Sequence, residues 1–370
     1  MPRLLRYLRS RFSLALQSDE AFIEQAYREI LGRPADQDGI NHYRALMRAG
    51  LGRVAVLLEL ARSDEFRKSL APVTGSTLPD LRSLRPAQYR EATDRTNGQQ
   101  IPVFEVRTPD DFDWFEAAIL EHGFYEQPGV WTLGVDIDKR VIAEMISAFA
   151  PRHALELGCA AGAVIECLDR LGIRADGVEI SSMAVARSAE AIRPRIHHGD
   201  VLAVPLARTY DLVFGLDVFE HLNPNLIDRY LARLVEISTE DAFIFCNIPA
   251  FGTDPVFGSV FPLYLDEWEP AVAARRPFSV LHVDHRGYPI HGHLTWADWR
   301  WWTGRFETHG LRRDLEIERA LHEKYDSYLS KRSPARKAFF VFAKPSAAGR
   351  GAAIVDRIRR TTGSGVLPEC

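Results

Sequence analysis

Cysteine is scarce in this chain. Four residues, Cys159, Cys167, Cys246 and Cys370, are spread through 370, and no two form a CxxC pair. That spacing excludes a zinc ribbon and a disulfide-built scaffold, and it fits a reducing cytoplasm. No apolar run is long enough to span a bilayer. An excess of positive charge is also missing: 46 basic against 50 acidic residues give a net charge of -4, which argues against a chain that binds nucleic acid over its whole surface. Hydrophobic residues at 46% and charged residues at 26% are ordinary for a soluble globular protein, and the length predicts two or three domains.

Two local biases stand out. Residues 1–17 carry Arg3, Arg6, Arg9 and Arg11 between Leu4, Leu5, Leu8 and Phe12, with no acid before Asp19. This basic segment reads as a solvated terminus or as a short amphipathic helix in peripheral contact with an anionic membrane surface. The second bias lies in residues 257–302, which hold five of the seven tryptophans and four of the twelve histidines.

Residues 18–69 are helical in pattern. Ser18 followed by Asp19 and Glu20 offers an N-cap with acids in the first turn, ahead of Phe22, Ile23, Ala26, Tyr27 and Ile30. Gly32 and Pro34 end this helix, a second spans about 36–48, and a third follows Gly52. Asp36, Asp38 and Gly39 lack the spacing and final glutamate of a calcium loop and predict a turn. The string from Tyr27 to Gly39, with Ser63-Asp64-Glu65-Phe66, resembles the helical domain DUF4214. The resemblance implies a module, a candidate for binding another protein, but no reaction. Residues 70–110, rich in Pro, Thr, Ser and Arg, read as a linker with partial structure. Amphipathic helices are predicted over 111–122 and 136–149.

From residue 153 strands and helices alternate: strands over 153–157, 175–179, 195–198, 211–216 and 242–247, with helices near 162–171, 182–192 and 224–237. This predicts an α/β domain with a mostly parallel sheet, whose ligands bind beyond the carboxyl ends of the strands. Chemistry-bearing residues do follow each strand. After the first comes Glu156-Leu157-Gly158-Cys159-Ala160-Ala161-Gly162, whose small residues let a ligand approach the backbone. After the second come Glu179 and Ile180, where an acid can accept ribose hydroxyls. After the third come Asp200 and Val201, placed to hold an adenine. After the fourth come Leu216, Asp217 and the run to Glu220-His221-Leu222. An NAD-type GxGxxG is absent.

These ordered motifs resemble the class I S-adenosylmethionine-dependent methyltransferases of the type 11/12/23 group. The resemblance implies a Rossmann-like seven-stranded sheet with its last strand antiparallel, preceded by a small all-α domain. It covers 111–345, with late strands near 311–317 and 338–343 and a substrate insertion over 250–304. It implies S-adenosylmethionine as cofactor, contacted by Glu156, Gly158, Ala160, Gly162, Glu179, Ile180, Asp200, Val201, Leu216 and Asp217. The chain lacks the Asp/Asn-Pro-Pro-aromatic motif, which argues against methylation of nucleic-acid bases.

Removing the proton of an acceptor hydroxyl calls for a base, and the candidates are His291, His293 and His221. Aromatic faces with interleaved polar groups suit a sugar, and Tyr125, Trp131, Tyr264, Trp268 and His285 are candidate acceptor contacts. At least half of the tryptophans are expected in the core instead. The histidine spacing matches no zinc pattern, so no metal is expected. The expected activity is cytoplasmic O-methylation of a sugar in a surface glycan or in its glycolipid or nucleotide-sugar precursor, within polysaccharide biosynthesis. Three alternatives stay open: a quinone-like or lipid acceptor, an inactive scaffold or glycan-binding protein, and an NAD-dependent sugar enzyme. Residues 346–370 are expected to be a disordered tail with at most one short helix.

Overall fold

The computed structural model describes residues 18–31, 34–60, 78–127 and 133–360. The basic segment 1–17, Gly32, Ser63–Phe66, Trp131 and the last ten residues lie outside the described residues.

The first module is built as the capping pattern predicts. Ser18 caps α1 (Asp19–Ala26) by accepting from the Ala21 amide at 3.2 Å. A π-helical turn continues over Tyr27–Leu31. Asp36 caps α2 (Gln37–Arg48) by accepting from the Gly39 amide at 2.7 Å, so this aspartate serves a helix N-terminus. With α3 (Arg53–Leu60), these helices close a core around Phe22, Ile23, Ile40, Tyr43, Val56 and Leu57. Arg28 donates to Glu166 at 2.9 Å, an ion pair between the module and the α/β domain.

The segment expected to be a linker is part of a sheet. Strand β1 (Tyr89–Thr93) and β2 (Gln100–Glu105) form an antiparallel hairpin, and α4 (Asp110–Glu121) packs behind it. Val103 and Phe104 are fully buried. The polar residues that suggested a linker are spent on fixing the α4 entrance. Asp111 accepts from the Arg107 amide at 2.7 Å and from Gln88 Nε2 at 3.0 Å, and it pairs with Arg85.

After α5 (Ile137–Ser147) the expected alternation appears: β3 (Ala154–Leu157), α6 (Ala163–Arg170), β4 (Ala175–Glu179), α7 (Ser182–Ala186), β5 (Ile196–His198), β6 (Tyr210–Leu216), α8 (Ile227–Glu236) and β7 (Ser238–Asn247). The insertion contributes β8 (Ala250–Phe251), α9 (Glu269–Ala273), β9 (Val280–His282) and β10 (Ala297–Asp298). The chain then runs through α10 (Trp299–Thr308), β11 (Arg312–Arg313), α11 (Leu315–Arg332), β12 (Phe339–Ala343) and α12 (Ala348–Arg360).

The main sheet has seven strands in the order β11-β12-β7-β6-β3-β4-β5, with β12 antiparallel to β7. Both faces are covered, and β3, β6 and β12 are buried along nearly their whole length. In β12, Phe339 and Val341 face α5, α6 and α11, while Phe340 and Phe342 face α8 and α10. That split follows the two-residue period of a strand. Over 348–360 the tail forms the single helix that the sequence allowed, 13 residues long, where disorder is otherwise expected. Ile354, Val355 and Ile358 form an apolar stripe that packs α12 into the first face, and Arg357 Nε donates to the Ala148 carbonyl at 2.7 Å. A Gly/Ala/Arg-rich composition obscured that stripe.

The insertion and the hairpin form one layer. Strand β9 pairs antiparallel with β2, and pairs such as Val103 with His282 join distant parts of the chain into a three-stranded sheet. Its core holds Phe251, Trp268, Phe278, Leu281, Tyr288 and Trp296. No helix among the described residues is long and apolar enough to cross a membrane.

Candidate active site

The parallel strands β3, β4, β5 and β6 end along one edge of the sheet, and a cleft opens there. Of the ten residues expected to contact a cofactor, Gly158, Glu179, Ile180, Asp200, Val201 and Asp217 line it. The first turn needs a glycine at 158. Its φ is +61°, and a Cβ there would lie 2.7 Å from Val218 Cγ2. Glu179 is buried, and its carboxylate is anchored rather than loose: Oε2 accepts from the Ala160 amide and Oε1 from the Ser181 amide, each at 2.7 Å. A carboxylate has about four lone-pair positions, so these two bonds leave acceptor capacity on the cleft side. Burial raises the Glu179 carboxyl above its ordinary value, and the backbone hydrogen bonds oppose the shift.

Asp200 is tied on both oxygens. Oδ1 accepts from the Leu202 amide at 2.8 Å, and Oδ2 accepts from the Tyr230 hydroxyl at 3.0 Å. Ile180 is 41% exposed, an apolar side chain left open along the cleft. With Val201 it offers a surface suited to a flat aromatic ring.

Four expected contacts sit elsewhere. Glu156, Ala160, Gly162 and Leu216 do not line the cleft. Glu156 is buried beneath the glycine turn, its Oε2 has no hydrogen-bond partner, and burial raises its carboxyl well above the usual range. Ala160 acts through its amide on Glu179, and Gly162 lets the chain turn into α6 at φ +74°. Asp217, at φ +51°, is paired with Arg336 at 2.5 Å, and Arg336 also donates to Asn247 Oδ1 at 2.8 Å. Arg336 thus ties the ends of β6 and β7 together.

The acceptor side is assembled from pieces far apart in sequence. Tyr125 lines the cleft, and its hydroxyl lies 3.1 Å from His221 Nδ1 and 3.3 Å from the Gly292 carbonyl. The same short turn carries Glu126, whose carboxylate accepts from the amides of Ser182 and Met183 at 2.8 Å and so docks the turn on α7. His221 and His293 meet edge to face with ring centroids 4.7 Å apart. His293 Nε2 lies 3.8 Å from Glu220 Oε1. Burial pushes the His221 imidazole down to about 4 and that of His293 well below its ordinary value, so both rings are neutral near neutral pH.

Of the remaining candidates, His291 borders this group and the others separate from it. His291 is exposed, with φ +57°, its ring 5.5 Å from His293. His285 is exposed and lies outside the cleft lining. Trp268 is fully buried and donates from Nε1 to the Val280 carbonyl at 2.8 Å, so it belongs to the insertion core. Tyr264 packs on Trp268 at 4.3 Å and meets His282 Nδ1 at 3.3 Å. The aromatic crowding read as an acceptor pocket is therefore mainly the packing of the added layer.

Sequence reading missed Glu116, Ile119 and Leu120 of α4, Tyr230 of α8, and Leu294, all of which line the cleft. The helix α4 lay next to the supposed linker, and nothing local showed that it returns to the sheet edge. Glu116 is raised above its ordinary value by burial and accepts from Asn223 Nδ2 at 2.9 Å.

Residues 154–240 match a family model described as a methyltransferase domain, and residues 11–70 match DUF4214, a domain of unknown function. Among curated proteins none matches the chain. Similar solved structures include the CcbJ methyltransferase from Streptomyces caelestis, at 20% identity over 62% of this chain and 96% of that one, with a TM-score of 0.37. DesVI from Streptomyces venezuelae is 16% identical over 61% and 98% of the two chains, with a TM-score of 0.38. The 1,6-didemethyltoxoflavin-N1-methyltransferase from Burkholderia thailandensis, solved with S-adenosylhomocysteine, is 14% identical over 68% and 99%, with a TM-score of 0.41.

Proposed function

We propose that this chain, which carries a class I S-adenosylmethionine-dependent methyltransferase domain behind a DUF4214 module, methylates a hydroxyl group of a sugar-containing acceptor. The observation that carries the reading is the convergence of Gly158, Glu179, Ile180, Asp200 and Val201 in one cleft bordered by Tyr125 and His221.

The cleft fits the cofactor. Glu179 would hold the ribose hydroxyls, Ile180 and Val201 would flank the adenine, and Asp200 would accept from its amino group. S-adenosylmethionine supplies an electrophilic methyl group on a sulfonium sulfur. The protein's own work is to orient the acceptor, exclude water and manage one proton. Tyr125 and His221 are the polar groups nearest to that task, with His221 neutral near neutral pH and, through its burial, a weak proton acceptor. The turn carrying Tyr125, clamped by Glu126, closes the cleft from above.

Glu116, Tyr125 and His221, interleaved with apolar side chains, support an acceptor with both hydroxyls and an apolar face. A second reading, a small quinone-like or lipid acceptor, is favoured by the apolar share of the wall: Ile119, Leu120, Leu222 and Leu294. Incubation with methyl-labelled cofactor and separated nucleotide-sugar, glycolipid and quinone extracts tests the choice. Label in an alkali-stable sugar product supports the first reading. Label in quinone or lipid alone replaces it, and label in none of the fractions removes both.

A further inference from the structure

Glu220, His221 and His293 offer one ligand atom each within 4.8 Å of one another. Glu220 is 1% exposed, and neither of its carboxylate oxygens has a hydrogen-bond partner. A buried carboxylate with no donor is costly, and in folded proteins such a group is normally met by a hydrogen bond, a counter-charge or a metal. The His293 ring stands 3.8 Å from one of the Glu220 oxygens, and Asp217 and Arg336 are the charged groups that act on that carboxylate.

We infer that Glu220, His221 and His293 form a binding site for a zinc-like divalent cation. Two imidazole nitrogens and one carboxylate oxygen are the donor set of catalytic zinc sites, which leave a fourth position for water or substrate. Ligand atoms around a tetrahedral zinc stand about 3.4 Å apart, given bonds of about 2.1 Å. The Glu220–His293 pair is therefore within a few tenths of an ångström of that spacing, and the wider separations, up to 4.8 Å, would have to close as the cation binds.

The two ligand segments are held together without the cation. The Thr295 amide donates to the Glu220 carbonyl at 2.8 Å, and its hydroxyl donates to the Leu222 carbonyl at 2.7 Å. Trp296, anchored in the insertion core, donates from Nε1 to the His293 carbonyl at 2.7 Å. Such outer contacts orient metal ligands and reduce the cost of ordering them. Tyr125, 3.1 Å from His221 Nδ1, adds an outer partner on the cleft side.

The site borders the methyltransferase cleft through His221. On the methyl-transfer reading, the open position of the cation would take the acceptor hydroxyl oxygen and lower its pKa, and the proton would leave to solvent, His221 being a ligand instead of the base. This use of the cation rests on that reading, whereas binding of the cation does not.

The test uses the full untagged chain, stripped with a chelator and then dialysed against Zn²⁺ or Mg²⁺. Retention of one equivalent of zinc, measured by atomic emission, is the expected result, with magnesium not retained. Glu220→Gln and His293→Ala should each weaken zinc binding at least tenfold. They should also remove a zinc-dependent rise in melting temperature that the parent shows. Circular dichroism of each variant controls for folding, and His293→Gln replaces His293→Ala if the latter unfolds. No stoichiometric retention, or retention unchanged in the variants, overturns the site. Zinc binding lost in both variants, without methyl transfer to any acceptor, would leave the site standing and remove the methyl-transfer reading. Absence of zinc binding together with His221-dependent methyl transfer would do the reverse.

Discussion

The hydroxyl of Tyr125 lies 3.1 Å from Nδ1 of His221 and joins a turn ahead of the α/β domain to the loop after its fourth strand. Tyr125 also reaches the Gly292 carbonyl at 3.3 Å, so a single phenol positions three segments at the cleft. Tyr125→Phe keeps the ring packing and removes these contacts. With a hydrogen bond worth about 1 kcal/mol, turnover should fall roughly fivefold to tenfold. Affinity for S-adenosylhomocysteine should stay within a factor of two in calorimetry. An equal loss of cofactor affinity would move Tyr125 from acceptor positioning to cofactor binding.

Burial lowers the His221 imidazole to about 4 in the folded chain, below the ordinary 6.5. Between these values the unfolded chain binds the extra proton and the folded chain does not, so this group's contribution to stability rises with pH across that window. Comparison with His221→Asn isolates the term. The melting temperature of the parent minus that of the variant should increase from pH 4 to pH 6.5 and stay flat above pH 7. A flat difference throughout would show that the ring titrates normally.

Arg313 pairs with Asp254 at 2.7 Å and with Glu318 at 2.8 Å, and all three side chains are buried. This cluster ties the insertion to the β11 edge of the sheet. Arg313→Ala leaves two carboxylates buried without their cation, at a cost of about 3–5 kcal/mol. Urea unfolding should show a midpoint lowered accordingly. A change under 1 kcal/mol would mean that solvent reaches the cluster.

Trp268 lies in the insertion core rather than on the cleft. Trp268→Phe should lower stability with little effect on the KM for the acceptor, and Trp268→Ala should cost about 3–5 kcal/mol. A rise in acceptor KM without a loss of stability would return this residue to the acceptor pocket.

The sheet was legible because its signals are local. Runs such as Leu212–Leu216 and Phe339–Ala343 are apolar without interruption, and a ligand-bearing residue follows each parallel strand. Glu179 and Asp200 were legible for the same reason, since position after a strand places them. The added layer was not. The pairing Val103↔His282 joins segments with no shared pattern, so 70–110 read as a linker and Trp268 as a pocket wall. The Glu220–His293 approach depends on the same long-range closure. Spacing in the sequence suggested His291 and His293 as a pair, and the fold adds His221 against His293, with His291 exposed at the border 5.5 Å from His293.

The central claim is that the cleft at the strand ends binds S-adenosylmethionine through Glu179. Calorimetric titration of the full chain with S-adenosylhomocysteine, with NAD as the control, tests it most directly. The parent should bind S-adenosylhomocysteine at one site and not NAD. Glu179→Gln should bind it about 10–100-fold more weakly, because charge-assisted hydrogen bonds to the ribose, worth about 1.5–3 kcal/mol, are lost. Unchanged affinity in Glu179→Gln, or binding of NAD alone, would contradict the account.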